Sequence, residues 1–180
     1  MGVYAYLQRI WKRPKTQLAD YREMLVSLRR EPVSVRLARP TRLDRARRLG
    51  YRAKQGVLVV RQRVARGGRT RARPAGGRRS RHFSGKLVLG KNYQQVAEER
   101  AARRYPNCEV LNSYLLARDG KHSWYEVILV DRDHPVVRSD PVLRGIADQR
   151  GRAVRGRTSA GRRSRGLRGK GRGYEKVRGV

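Results

Sequence analysis

The chain has 180 residues, room for one domain with a modest core. Its 46 Lys and Arg against 14 Asp and Glu leave a net charge of +32, which repels itself unless a polyanion is present. A single cysteine, Cys108, excludes a disulfide framework or a Cys-based metal site, and no apolar run approaches the length of a membrane span.

No secretory pattern opens the chain, and Tyr6 stands where a myristoylation motif needs Ser or Thr, so a cytoplasmic protein is expected. Val3, Leu7, Ile10 and Trp11 recur at helical spacing and predict a helix stopped by Pro14. Leu18, Tyr21, Leu25 and Leu28 predict a second helix, with Thr16 as its N-cap. Both stripes are expected to face the core. At the end of the first helix, Trp11, Lys12 and Arg13 set an aromatic ring beside two cations, a pairing suited to RNA as well as to packing.

Val33 to Arg39 alternates as a strand does and ends at Pro40. Leu43 to Leu49 predicts a short basic helix closed by Gly50 at the C′ position. Arg42, Arg45, Arg47, Arg48, Tyr51, Arg52 and Lys54 cluster there as candidate RNA-binding residues. After Gly56 comes the apolar strand Val57 to Val64. No acidic residue lies between Asp44 and Glu98, whereas a merely solvated face mixes its signs.

The segment Ala65 to His82 contains two Gly-Gly pairs, one proline and no acid. It has no apolar face to bury and cannot fold alone. Its guanidinium groups, on Arg66, Arg69, Arg71, Arg73, Arg78, Arg79 and Arg81, suit bidentate contact with phosphates, and the glycines let the backbone approach. His82, like Phe83, Tyr51 and Tyr174, could stack on an unpaired base.

Asn92 and Gln95 form a capping-box-like pair opening a helix that Pro106 ends, with Tyr93, Val96, Ala97 and Ala101 on one face. Glu109 to Ala117 and Ser123 to Asp131 flank an Asp-Gly pair, the signal of a β-hairpin. Asp140-Pro141 reads as N-cap and N1 of a short helix through Ile146. From Arg150 onward the chain is mostly Arg, Gly and Ser, with Glu175 the only acid, and predicts a tail without a core of its own. Its candidate phosphate contacts are Arg152, Arg155, Arg157, Arg162, Arg163, Arg165, Arg168, Lys170 and Arg172.

This order predicts an α+β fold, an antiparallel sheet with helices on its faces. The expected division is a core over 1–148, carrying an inserted basic loop at 65–86, and an arm over 149–180. Loop and arm are expected to be disordered until bound.

Two chemical readings are disfavoured by their residues, the second staying an alternative. Gly85 to Asn92 nearly spells a phosphate-binding loop, but Asn92 replaces the hydroxyl that would hold Mg²⁺ and the interior is apolar. Asp131, Asp133 and His134 could hold a divalent ion in a nuclease, but no third acidic ligand stands out. No catalytic residue, metal or cofactor is assigned. A packaging protein that coats nucleic acid through Arg and Gly is the other alternative.

Several stretches resemble one family. They are the opening MGVYAY with Trp11, PTRLDRARRLGYRAKQG at Pro40–Gly56, VARGGR at Val64–Arg69 and VAEERAARR at Val96–Arg104. VLNSY at Val110–Tyr114, YEVILVD at Tyr125–Asp131 and TSAGRRSRGLRGKG at Thr158–Gly171 continue the series. In this order they resemble the L15e family of large-subunit ribosomal proteins of archaea and eukaryotes. The resemblance implies a structural, non-catalytic protein of the large subunit with a four-stranded antiparallel sheet between helices. It implies large-subunit rRNA and neighbouring ribosomal proteins as partners, with no membrane and no homo-oligomer. The chain ends soon after Tyr174, where eukaryotic members look longer, so an archaeal source is expected.

Overall fold

Ser123 to Val130 are all buried, which an alternating strand achieves only when both faces of its sheet are covered. The computed structural model describes residues 2–78, 82–87, 89–169 and 171. In chain order the elements are α1 (Val3–Lys12), α2 (Pro14–Gln17), α3 (Tyr21–Arg30), β1 (Ser34–Leu37), α4 (Leu43–Arg48), β2 (Val57–Ala65), β3 (Arg69–Thr70) and β4 (Lys86–Leu87). They continue with α5 (Tyr93–Arg104), β5 (Cys108–Arg118), β6 (His122–Asp131), α6 (Pro135–Ser139), α7 (Pro141–Ala147) and α8 (Ser159–Ser164). The main sheet is antiparallel in the order β1-β2-β6-β5, which puts β6 inside.

On one face, Tyr125, Val127 and Leu129 pack with Val60, Val64, Ala97 and Ala101 beneath α5. On the other, alternate residues of β6 meet three covers in turn. Trp124 packs on Leu28 of α3 and donates its indole N–H to the Leu28 carbonyl at 3.2 Å. Ile128 packs on Ala46 and Tyr51, and Val130 on Val137, Leu143 and Ala147. The α+β architecture and four-stranded sheet expected from the sequence are present.

The hairpin forms where expected, but the glycine's conformational freedom does not make its turn. Gly120 has no positive φ. Instead the Asp119 carboxylate accepts from the amides of Lys121 and His122, at 2.7 and 2.5 Å, tying the turn from its first residue. Gly50 does adopt the left-handed conformation expected after α4, at φ 98°.

The N-terminus departs from expectation. Pro14 opens the short helix α2 at its first position, and Thr16 donates to the Arg13 carbonyl without capping α3. No residue of α1 is fully buried, and Val3, Tyr4 and Tyr6 are exposed, so its stripe is only half used.

The largest correction concerns the C-terminal arm. Residues 150–167 were expected to be a tail without a core, yet Ala153, Thr158 and Ala160 are buried. Glu109 accepts from the amides of Gly151 and Arg152 at 2.8 and 3.2 Å, and Arg152 Nε donates to the Val110 carbonyl at 2.9 Å. Thr158 caps α8 and donates to Glu98 at 2.5 Å, while Ser113 donates to the same carboxylate. Asn92 caps α5 by accepting from Gln95 N–H at 2.8 Å, as expected. The reciprocal half of that capping box comes from Ser164, whose hydroxyl accepts from Asn92 N–H at 3.2 Å. Composition missed this because Ala153 joins the apolar cluster beneath α5, and the Gly151 and Arg152 amides and the Thr158 hydroxyl meet acids far away in sequence.

Gly161 shows how closely the segment fits. A methyl group there would lie 2.7 Å from the backbone Cα of Gly156. Replacing a helical glycine by alanine ordinarily stabilises by about 0.5–1 kcal/mol. Gly161→Ala is therefore expected to reverse that sign and destabilise by about 1–3 kcal/mol in urea unfolding. Gly145→Ala, in α7 with open space around it, should stabilise.

Burial holds the Glu98 carboxyl above its ordinary pKa, against the lowering effect of the Ser113 and Thr158 hydroxyls and the Arg152 charge. An acid whose folded pKa is raised favours the fold most when protonated. Its contribution is full below the unfolded pKa and is lost as pH rises through the folded value. Unfolding of the free protein across pH 4 to 8 should show this loss in the wild type and not in Glu98→Gln. Glu98→Ala, which strands two buried hydroxyls, should cost about 2–4 kcal/mol throughout.

Candidate nucleic-acid interface

Most acids among the described residues are buried or paired with a cation, while Asp20, Glu23 and Asp148 are exposed. Asp44, Glu98, Glu99, Glu109 and Glu126 are buried. Glu31 binds Arg61 through three contacts of 2.5–3.0 Å, and Asp119 pairs with Arg29 at 2.9 Å. Asp133 pairs with Arg138 at 2.7 Å, and Asp140 with Lys54 at 2.8 Å. Hydrogen bonding to Lys54, followed by the Leu143 and Val142 amides, holds the Asp140 carboxyl below its ordinary pKa. Cations therefore far outnumber acids on the exposed surface.

The basic loop leaves the sheet at the end of β2 on a hydrogen-bonded base. β3 and β4 pair Arg69 with Leu87 and Thr70 with Lys86, and Arg71 N–H reaches the Gly85 carbonyl at 3.0 Å. The Tyr93 hydroxyl of α5 both donates to Gly67 O and accepts from Gly67 N–H, each at 3.0 Å. Arg66 donates to the Asp119 carbonyl, and its amide to the Lys121 carbonyl at 2.8 Å. The loop thus starts beside the β5–β6 turn. Beyond this base Arg71, Arg73, Arg78 and His82 are exposed, while Arg79 and Arg81 lie outside the described residues. The glycines of the would-be phosphate loop serve other ends: Lys91 pairs with Glu99 at 2.9 Å and Gly90 O accepts from Ser164.

On the other side, Lys12 and Arg13 are exposed at the end of α1, as are Arg45, Arg47, Arg48 and Arg52 on and after α4. Trp11 is half-buried against the Leu28–Trp124 cluster, with the Arg42 guanidinium 4.9 Å from its ring centre. That ring stacks on an arginine within the protein. Tyr51 is corrected outright: it is 7% exposed and packs with Ala46, Val59, Tyr114 and Ile128, so it offers no face to a base. Lys54 is exposed but engaged with Asp140.

In the C-terminal segment Arg155, Arg157, Arg162 and Arg163 are exposed. Arg152 is half-buried and also donates to Gln149 at 2.6 Å; burial lowers its pKa, while the Glu109 carboxylate raises it. Its charge serves the fold. Arg165 donates to the Val154 carbonyl at 2.6 Å, and Arg168 to the Ser159 hydroxyl. Lys170 and Arg172 lie outside the described residues.

Asp131, Asp133 and His134 do not converge on a metal. Asp131 accepts from Asp133 N–H at 3.1 Å, Asp133 faces Arg138, and His134 Nδ1 accepts from Val136 N–H at 3.3 Å to cap α6. Sequence reading missed Gln8, Gln94 and Ser113, which meet Arg42, Arg45 and Arg48 around one cavity. Only the spacing of those three arginines, one helical turn apart, was visible beforehand.

A folded α+β core with a large excess of outward cations over outward acids is a scaffold suited to a polyanion. Comparison with known proteins gives the particular family. The family model described as "Ribosomal L15" matches residues 2–180, and the chain belongs to this ribosomal L15e family. It is 52% identical to the large ribosomal subunit protein eL15 of Methanocorpusculum labreanum, over 98% of this chain and 93% of that protein. The eL15 proteins of Methanocella arvoryzae and Methanococcoides burtonii are each 51% identical, over 97% of this chain and 92% and 91% of theirs.

Proposed function

We propose that the protein is a structural constituent of the large ribosomal subunit in the cytoplasm, binding large-subunit rRNA and adjoining other large-subunit proteins without chemistry of its own. Arg66, Arg69, Arg71, Arg73 and Arg78 with His82 form one RNA-facing arm. Arg155, Arg157, Arg162 and Arg163 form a second, continued by the rest of 149–180. Lys12, Arg13, Arg45, Arg47, Arg48 and Arg52 form a third surface on the core. The excess of exposed arginines over exposed acids, on the core as well as the loop, carries this reading, because it leaves the outward field positive. The proteins similar to this chain are named as large-subunit proteins. The C-terminal segment then acts as a clamped element, preset by Glu98 and Glu109, whereas the loop is held only at its base.

Sucrose-gradient sedimentation of a native lysate, with a high-salt wash and an RNase-treated control, tests the assignment. The expected result is about one copy per large subunit that survives the wash; spread through polydisperse RNA would overturn it. Binding of the isolated chain to large-subunit rRNA should fall steeply with salt, with a log–log slope of about 0.7–0.9 per phosphate neutralised. Replacing Arg69, Arg71, Arg73 and Arg78 together by alanine should flatten that slope by about three units without lowering the unfolding midpoint. An unchanged slope would remove the loop from the interface.

A further inference from the structure

Arg42, Arg45 and Arg48 recur every third residue at and along α4, so one helical face carries all three guanidinium groups. They line a cavity of about 300 Å³ whose other walls are Gln8 of α1, Gln94 of α5 and Tyr114 of β5. Four separate elements therefore close around it. Asp44 is the one acid in the lining, and it faces Arg42 at 3.6 Å. The charge balance inside is three cations to one anion. Arg48 is steadied by Gln8 Oε1 at 3.3 Å, and Arg42 by the Trp11 ring. Arg45 has no hydrogen-bonding partner among the described residues. Behind this wall Arg42 Nε and Asp44 Oδ1 are buried without a partner, so the ligand-facing groups are the guanidinium ends of Arg45 and Arg48.

Resting on the rRNA-binding reading above, we propose that this cavity seats one unpaired nucleotide of the RNA. Its phosphate lies between Arg45 and Arg48, and its sugar and base lie against Gln8, Gln94 and Tyr114. The volume is at the small end of the ~300–1,000 Å³ range of pockets that enclose small molecules, too large for a phosphate alone and too small for a duplex. An acidic side chain from a protein would bring one charge and leave most of the space empty. Guanidinium forks and amide groups together suit the phosphate and polar edges of a nucleotide. The site is on the rigid core and fixes register, a role the loop's arginines do not have.

The test has two arms on the full-length chain. In the first, the arginine side-chain Nε–H signals are followed by NMR during titration with AMP, GMP, UMP and, separately, inorganic phosphate. Shifts at Arg42, Arg45 and Arg48, with Arg22 and Arg30 of α3 unmoved and nucleotides binding at least about fivefold tighter than phosphate, are expected. Equal response to phosphate, or shifts spread over all arginines, overturns the proposal. In the second, Arg45→Lys/Arg48→Lys keeps the charge and removes the fork. It should lose about tenfold in affinity for large-subunit rRNA at unchanged salt slope, while Arg22→Lys/Arg30→Lys loses nothing. A loss below about twofold in the first variant overturns the proposal. If that variant fails to fold by circular dichroism, the wild-type titration decides. A wild-type chain with no preference for large-subunit rRNA would sink the functional assignment, and the mononucleotide result would still stand or fall by itself.

Discussion

The Glu98 carboxylate is the point on which the assembly turns. It is carried by α5, receives the Ser113 hydroxyl from β5, and receives the Thr158 hydroxyl from the first residue of the α8 cap. A helix, the sheet edge and the C-terminal segment thus share one buried group. A buried carboxyl is costly without partners, so each of the three elements stabilises the other two. Glu109 repeats the device at the start of the same segment, where two consecutive amides converge on it.

The same contacts manage the open edge of the sheet. β5 is an edge strand in the order β1-β2-β6-β5, and its register shifts twice, between Val110 and Asn112 and between Leu115 and Ala117. Free carbonyls at such an edge invite another strand. Gln94 covers the Ser113 carbonyl at 2.9 Å and Arg152 covers that of Val110. The side chains that blunt the edge also hold the C-terminal segment and close the nucleotide-sized cavity.

A charge of +32 would be expected to loosen a free chain of this size. Ion pairs such as Glu31 with Arg61 and Glu99 with Lys91 offset part of this. Many of the cations that remain outside have no acidic partner among the described residues. Under the rRNA-binding reading, stability and RNA affinity use separate sets of charges that the sequence does not distinguish. Arg61, Arg152 and Lys54 belong to the first set; Arg71, Arg73, Arg78, Arg162 and Arg163 are free for the second.

The sequence by itself determined the parts whose cause is local. The apolar runs Val57–Val64 and Ser123–Asp131, Asn92 as a cap, Asp140-Pro141 as a helix start and Gly50 as a helix end all act through neighbours within a few residues. The basic character of the loop was legible for the same reason, since composition alone denies it a core. Only the tertiary structure decided what long-range partners decide. Tyr51 and Thr158 read like surface residues until Ile128 and Glu98 are brought against them. The half-capping box at Asn92 is completed from Ser164, and the walls of the cavity come from four elements. Ala153, Thr158 and Ala160 carry too little apolar surface to announce a buried segment. Their burial follows from partners some 40–70 positions away — Glu98, Glu109 and Asn92, with the apolar cluster beneath α5 — a distance over which periodicity and propensity hold no information.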